Sequence, residues 1–231
     1  MPRITAMLLA ALTALTLAEC TADKPSKDDP TPATTSARQD PFAGVDPEIR
    51  DFLPANEKYP FGQAGEGAPP ENTFFAALVG VWSCRIRFNE GGGRVRYGYP
   101  ATWAFKYAAG GHAIEHLYFQ RKASLPPPLA PIGRDFYTVA FVLYDPAIEA
   151  WRFVGVSNIA GATPDSSSQV MTGHLTDDAL TFQPDAPRPG PRTKDTFHSV
   201  EADEFVWTQY ESADRGRTWA EAVSIVCNRR A

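Results

Sequence analysis

The most informative stretch of this sequence is Leu78-Val-Gly-Val-Trp-Ser-Cys-Arg-Ile-Arg-Phe88. Apolar and polar side chains alternate along it. One face carries Trp82, Cys84, Ile86 and Phe88, and the other carries Ser83, Arg85 and Arg87. A period of two is typical of a β-strand with one buried and one solvated face. We predict that this stretch is the opening strand of a closed β-barrel.

The composition favours a single β-rich domain. The chain has 231 residues, of which 43% are hydrophobic and 12% aromatic, enough for a substantial core. Its 17 Gly and 21 Pro residues supply turns between short strands. The formal net charge is -5 and no basic run occurs, so the electrostatic signature of a nucleic-acid-binding protein is missing. We predict no nucleic-acid partner.

Strand patterns continue to the end of the chain. After the first strand they predict strands at 97–107, after Gly111, and at 136–144, 151–158, 168–174, 179–183, 193–200, 205–211 and 218–228. Residues 125–133 contain four prolines and are predicted to form a loop. About ten hairpin-linked strands indicate an all-β fold, either an up-and-down antiparallel β-barrel or a sandwich.

The register of the second and third strands follows from Gly110-Gly111. Two adjacent glycines accept positive φ at both positions of a tight hairpin turn. A two-residue turn here gives the pairs Ala109 with His112, Tyr107 with Ile114, Phe105 with His116, and Trp103 with Tyr118. His116 is therefore predicted to share a face with aromatic side chains.

A short helix is predicted before the first strand, at 72–78. Phe74, Phe75 and Leu78 have helical spacing, Asn72 or Thr73 is suited to cap the helix, and Gly80 is suited to end it. We expect this helix to plug one end of the barrel.

The first 22 residues resemble an export signal. Arg3 is followed by an apolar run, 4–18, which is too short for a permanent membrane span. No polar stripe interrupts the run, which disfavours an amphipathic helix of the fold. We predict an exported protein of the periplasm or cell envelope.

Leu17-Ala-Glu-Cys20 resembles the lipobox of bacterial lipoproteins, in which the cysteine becomes lipidated. Glu19 departs from that pattern, because the lipobox has a small residue there. Two alternatives follow, a lipid anchor on Cys20 or simple cleavage near Ala22. A lipid anchor is the only membrane attachment we predict.

Residues 23–70 are predicted to form a disordered, proline-rich tether, and residues 71–231 the barrel domain. The tether segment has few bulky apolar side chains to offset the entropy of ordering. Within it, 46–53 has the alternative of one or two helical turns, with Ile49, Phe52 and Leu53 available to dock.

Two cysteines support barrel closure. Cys84 lies on the apolar face of the first strand, and Cys227 lies on the apolar face of the last. These strands are neighbours in a closed meander, and placing Cys84 opposite Cys227 brings Phe88 near Val223. Export favours a disulfide, and the alternative is two buried thiols.

Several short motifs together resemble a family of uncharacterised bacterial lipocalin-like proteins. They are Gly80-Val-Trp82, Trp103-Ala-Phe-Lys-Tyr107, Gly111-His-Ala-Ile114, Tyr144-Asp-Pro146 with Trp151-Arg152, and Ser212-Ala-Asp-Arg-Gly-Arg-Thr-Trp219. The resemblance covers about 72–230. It implies a calycin-type barrel with an internal cavity and no particular reaction. Family members commonly carry Asp where this chain has Gly110 and His116.

No metal or cofactor is predicted. His112-Ala-Ile-Glu-His116 spells H-x-x-E-H, a zinc motif when it lies on a helix. On the predicted strand, its histidines are roughly 13 Å apart, too far to share one zinc ion. The final strand contains no histidine, whereas some barrels of this shape hold haem through a late histidine.

The predicted ligand-binding residues lie on the inner face of the barrel. They are Trp103, Phe105, Tyr107, His116, Tyr118 and Glu221. An apolar pocket with a few polar groups is a usual ligand site. An inward Glu221 opposite His116 would orient a polar ligand group or support general-base chemistry. The alternative is a structural histidine within a filled core.

Three functions are compatible with these features. The first is an exported barrel that binds a small apolar or amphipathic molecule. The second is an isomerase or cyclase that uses His116 and Glu221 in the same cavity. The third is a filled barrel that acts as an adhesion or assembly module.

Overall fold

The computed structural model describes residues 46–52, 61–89, 95–126, 129–158, 168–185 and 191–230. The predicted signal sequence and Cys20 lie outside these residues. The helices are α1 (Pro47–Phe52) and α2 (Thr73–Ala76), with 3₁₀ turns at Pro70–Asn72, Ala109–Gly111, Lys122–Ser124 and Ala130–Ile132. Within the described ranges, none of the helices has the length and apolar character needed to span a membrane.

Ten strands form the body of the molecule. They are β1 (Gly80–Asn89), β2 (Val95–Ala108), β3 (Ala113–Gln120), β4 (Phe136–Asp145), β5 (Ala150–Ser157), β6 (Ser168–Thr176), β7 (Ala179–Pro184), β8 (Arg192–His198), β9 (Glu204–Ser212) and β10 (Ala220–Arg229). Each strand pairs antiparallel with its neighbour in the chain, and β1 pairs with β10 to close the barrel. The predicted all-β, up-and-down barrel is confirmed.

The seam between β1 and β10 has the predicted register. Cys84 lies opposite Cys227, and Phe88 lies opposite Val223. The two cysteine sulfurs are 2.05 Å apart and form a disulfide between positions separated by 143 residues. Cross-linking so long a loop stabilises the folded chain by about 5 kcal/mol in the chain-entropy model.

The β2–β3 hairpin keeps the predicted register but has a longer turn. Trp103 pairs with Tyr118, and Phe105 pairs with His116. The ladder ends at Ala108 and Ala113, so the predicted pairing of Ala109 with His112 is wrong.

The longer turn is explained by a second segment that packs against it. Gly110 and Gly111 both have positive φ, +67° and +88°. The backbone N–H of Gly65 donates to the carbonyl of Gly111 at 3.1 Å. A Cβ at position 111 would lie 2.1 Å from the Gly65 nitrogen, so only glycine permits this approach.

Helix α2 closes one end of the barrel, as predicted. Phe75 and Leu78 are fully buried, and the Phe75 ring lies 5.1 Å from that of Trp151. The Asn72 side chain does not cap the helix. Its amide donates instead to the carbonyl of His112 at 3.1 Å, which ties the plug to the β2–β3 turn.

A second apolar cluster lies on the outside of the barrel under α1. Ile49 is fully buried there against Leu117 and Phe119. The Lys106 ammonium donates to the carbonyl of Phe52 at 2.6 Å and lies 4.0 Å from the centre of its ring. These contacts favour the alternative of docked helical turns over a disordered tether at 46–52, whereas residues 23–45 and 53–60 of the predicted tether lie outside the described residues.

Candidate functional site

Aromatic rings fill the middle of the barrel. The Trp103 indole, from β2, lies 5.4 Å from the Phe105 ring, 5.3 Å from Tyr118 and 5.6 Å from Phe205. All four side chains are buried. Strand alternation places them inward, because β2 and β3 each expose one face to the core.

His116 is the only histidine among these inward side chains in the described strands, and one hydrogen bond fixes its tautomer. The indole N–H of Trp103 donates to Nδ1 of His116 at 3.0 Å. Tryptophan has a donor and no acceptor, so Nδ1 carries no proton. The proton of the neutral imidazole therefore lies on Nε2.

The Nε2 atom of His116 is buried and has no hydrogen-bond partner in the described structure. Leaving a buried donor unsatisfied costs about 1–3 kcal/mol. Such a group is rare in folded proteins and marks a place where an acceptor atom would be stabilised.

Burial also determines the charge of the site. It lowers the pKa of His116 from 6.5 to about 3, so the ring is neutral at ordinary pH. It raises the pKa of Tyr118 far above its usual range. The interior around His116 therefore carries hydrogen-bonding groups without charge.

Small residues lie beside His116 on the inner wall. The cross-strand neighbour of His116 is Ala140 on β4, and the neighbour of Ala140 is Gly155 on β5. The Phe153 ring occupies the space above them, and a Cβ at Gly155 would lie 2.7 Å from Cε1 of Phe153. The Phe153 and His116 rings are 5.6 Å apart. The Phe153 ring therefore occupies the space beside the His116 imidazole on this part of the inner wall.

The predicted pairing of Glu221 with His116 is not formed. The register of β10 shifts between Glu221 and Val223, and such a bulge moves side chains to the opposite face. Glu221 forms an ion pair with Arg87 at 3.7 Å on the outside of the barrel. It also raises the pKa of His198, whose net shift is downward because burial dominates. The two groups that the enzyme hypothesis needs lie on opposite sides of the wall.

Tyr107 lies toward the plug end of β2. It is half-buried and packs against the edge of the core, and its backbone N–H donates to the carbonyl of Phe61 at 2.8 Å. Burial raises the pKa of its phenol. Of the six predicted ligand residues, four come together in the barrel interior around the Trp103 indole: Trp103, Phe105, His116 and Tyr118.

The H-x-x-E-H string lies in a turn and a strand. His112 is exposed in the β2–β3 turn, and Glu115 forms an ion pair with Lys106 at 3.2 Å on the outer face. The described residues contain no group of three or more His, Cys, Asp or Glu arranged to hold a metal. A metal ligand at Nε2 of His116 would need the proton on Nδ1, where it would face the Trp103 N–H.

Polar side chains also line the other end of the interior. Asp195 is buried, lies opposite the inward Phe182, and accepts a hydrogen bond from Gln209 at 3.1 Å. Sequence reasoning missed this pair. It also missed Gly155, although an isolated glycine within a strand often marks a close approach.

Three surface cavities have volumes of about 360, 430 and 630 Å³. The first lies beside the β1–β10 seam, the second beside α2, and the third on the outer face of β6 and β7. His116 lines none of these three. In the described structure, the space beside His116 is filled by the Phe153 ring.

Comparisons with known proteins assign no function to this site. No family model matches the chain, and no curated protein matches it. A solved structure, that of Rv2717c from M. tuberculosis, aligns with a TM-score of 0.44 and 13% identity, over 71% of this chain and 99% of that one. At that level the similarity assigns neither a ligand nor an activity. The ten-stranded barrel itself is consistent with a calycin-like fold.

Proposed function

We propose that this protein is exported and binds a small, mainly apolar molecule inside the barrel. The ligand accepts a hydrogen bond from Nε2 of His116. The observation that carries the proposal is the buried, unpartnered Nε2–H, with its tautomer set by Trp103.

The chemistry of the site specifies the ligand class. The neutral imidazole offers one N–H, and the surrounding rings of Trp103, Phe105 and Phe153 offer apolar contact. A carbonyl or ether oxygen satisfies the donor without bringing a charge into the core. A carboxylate would be buried without a cationic partner at this position, which is costly.

Entry of the ligand requires the Phe153 ring to move. Ala140 and Gly155 leave the wall thin behind that ring, so the ligand takes the volume that Phe153 now fills. The proposed pocket is therefore about the size of one aromatic ring. Acetophenone is a suitable probe of this size, and α-methylstyrene has nearly the same shape without the oxygen acceptor.

The test measures the affinity of both probes for the wild type, His116→Phe and His174→Phe. We expect the wild type to prefer acetophenone by about 2- to 13-fold, the range that corresponds to one net hydrogen bond. His116→Phe should lose that preference, whereas His174→Phe, altered at an exposed histidine, should keep it. Equal affinities for the two probes in the wild type would refute the proposal.

Export and lipid anchoring are tested on cells. Labelled palmitate should appear on the wild-type chain and be absent from a Cys20→Ala variant if the lipobox is processed. A soluble periplasmic chain without label would support cleavage near Ala22, and a chain retained in the cytoplasm would refute export.

A filled barrel with no internal ligand is the second candidate. The observation that favours it is the packing around His116, where the rings of Trp103, Phe105 and Phe153 all lie within 5.6 Å. Mass spectrometry of solvent extracts from protein purified from its own host separates the two. A stoichiometric small molecule supports the binding function, and its absence together with no probe binding supports the filled barrel.

A further inference from the structure

A cavity of about 360 Å³ lies on the outside of the barrel beside the β1–β10 seam. Ser83 of β1 and Thr102 of β2 are cross-strand neighbours on its floor. Arg121 and Asp46 line it from the end of β3 and the start of α1. The proposed ligand site at His116 does not contribute to this cavity.

The lining is strongly basic for a chain with a net charge of -5. Its charged side chains among the described residues are three arginines and one carboxylate, which are Arg85, Arg121, Arg230 and Asp46. Arginines therefore outnumber carboxylates among the described residues of the lining. A concentration of cations around a concave surface raises the local concentration of anions.

Two of the arginines are held in place by neighbouring side chains. Arg230 donates from Nε to the Ser83 hydroxyl at 2.8 Å and from Nη2 to the Thr102 hydroxyl at 3.5 Å. Arg121 donates to the carboxylate of Asp46, which raises the pKa of Arg121. These contacts order the two guanidinium groups before any ligand arrives.

Arg85 supplies the unneutralised charge. Its side chain is exposed, and within the described ranges it has no ion pair, hydrogen bond or ring contact. It lies two positions from Ser83 on the same outer face of β1, and Ser83 is the residue that accepts the hydrogen bond from Arg230.

We infer that this cavity binds a phosphate group. Guanidinium groups recognise phosphate through paired N–H donors, and several of them around one cavity can engage more than one oxygen of a tetrahedral dianion. The hydroxyl of Ser124 and the amide of Asn228 add neutral donors to the lining. The cavity has room for more than phosphate alone, and the proposed ligand is a phosphate monoester, either a soluble molecule or a lipid headgroup.

The experiment uses the full chain and titrates glycerol 3-phosphate by calorimetry. Arg85→Gln removes the free cation, and Arg217→Gln is the control, because it removes the same charge from an exposed loop outside the cavity. We expect Arg85→Gln to weaken binding by at least about tenfold, the loss typical of a charge-assisted hydrogen bond. The control should bind as the wild type does.

A second variant and a second probe complete the test. Ser83→Ala removes one contact that positions Arg230 and should also weaken binding, with circular dichroism checking that the barrel is intact. Vesicles that contain phosphatidic acid present the same phosphate on a lipid. Arg85-dependent binding to vesicles alone identifies a headgroup site, and Arg85-dependent binding of glycerol 3-phosphate identifies a soluble ligand. If Arg85→Gln and Arg217→Gln behave alike with both probes, the inference is wrong.

Discussion

The indole nitrogen of Trp103 lies 3.0 Å from Nδ1 of His116, and this hydrogen bond determines what the barrel interior offers a ligand. It leaves the imidazole with its proton on Nε2, which is buried and has no hydrogen-bond partner in the described structure. The site is therefore a neutral hydrogen-bond donor among aromatic rings.

The stability of the fold should depend on pH through His116. Burial lowers its pKa from 6.5 to about 3, so the unfolded chain binds a proton in this window that the folded chain does not. The contribution of His116 is complete above pH 6.5 and is lost as the pH falls toward 3, at up to about 1.4 kcal/mol per pH unit. The free energy of unfolding, measured in urea, should fall more steeply for the wild type than for His116→Phe as the pH decreases from 6.5 toward 3. Parallel curves would contradict the assignment.

Removal of the Phe153 ring should lower the stability of the protein and raise its affinity for a ligand. Phe153→Ala leaves a ring-sized cavity beside His116 and should lower the free energy of unfolding by about 3–5 kcal/mol. Acetophenone should restore part of that loss and bind more tightly than it does to the wild type. Phe141→Ala, at an exposed position, is the control and should change neither property by much. If the variant is destabilised but gains no affinity for acetophenone, the ligand does not bind in the space that the Phe153 ring vacates.

The disulfide at the seam should contribute strongly to stability. Replacing Cys84 and Cys227 with alanine should lower the free energy of unfolding by about 2–5 kcal/mol, because the unfolded chain regains the freedom of a 143-residue loop. Thermal unfolding by calorimetry measures the change. Titration of denatured, unreduced protein should find no thiol at either position, and two free thiols there would contradict the structure.

Helix α1 should act as part of the folded domain. Ile49 is fully buried against the outside of the barrel, so Ile49→Ala should cost about 2–5 kcal/mol. Ile148→Ala, at an exposed turn position, is the matched control and should cost less than about 1 kcal/mol. Equal effects of the two variants would indicate that 46–52 does not pack against the barrel and belongs to the tether.

Much of the barrel is predictable because its determinants are local. Alternation along 78–88 identifies β1, and the glycine pair at 110–111 sets the register that places His116 beside Phe105. The spacing of Cys84 and Cys227 on apolar faces indicates which strands meet. Each inference needs only the period of a strand and the chemistry of a turn.

The positions of Glu221 and of segment 46–52 were not predicted correctly, because they depend on features that the alternation of apolar and polar residues does not reveal. Trp219, Val223 and Ile225 continue one face across position 221, and only the bulge in β10 shows that Glu221 leaves it. Segment 46–52 is polar in composition, and its attachment depends chiefly on the burial of Ile49. The Trp103–His116 hydrogen bond joins side chains on a diagonal of the β2–β3 ladder, and register alone does not distinguish such a bond from simple contact.

The most direct test of the account is the ring nitrogen spectrum of His116 in ¹⁵N-labelled protein at pH 7. We predict one neutral tautomer with the proton on Nε2, and a downfield shift of that proton when acetophenone is added, with Nδ1 still unprotonated. The same titration with α-methylstyrene should leave the proton without this shift. A proton on Nδ1, or an Nε2 proton indifferent to acetophenone, would contradict the proposed binding site.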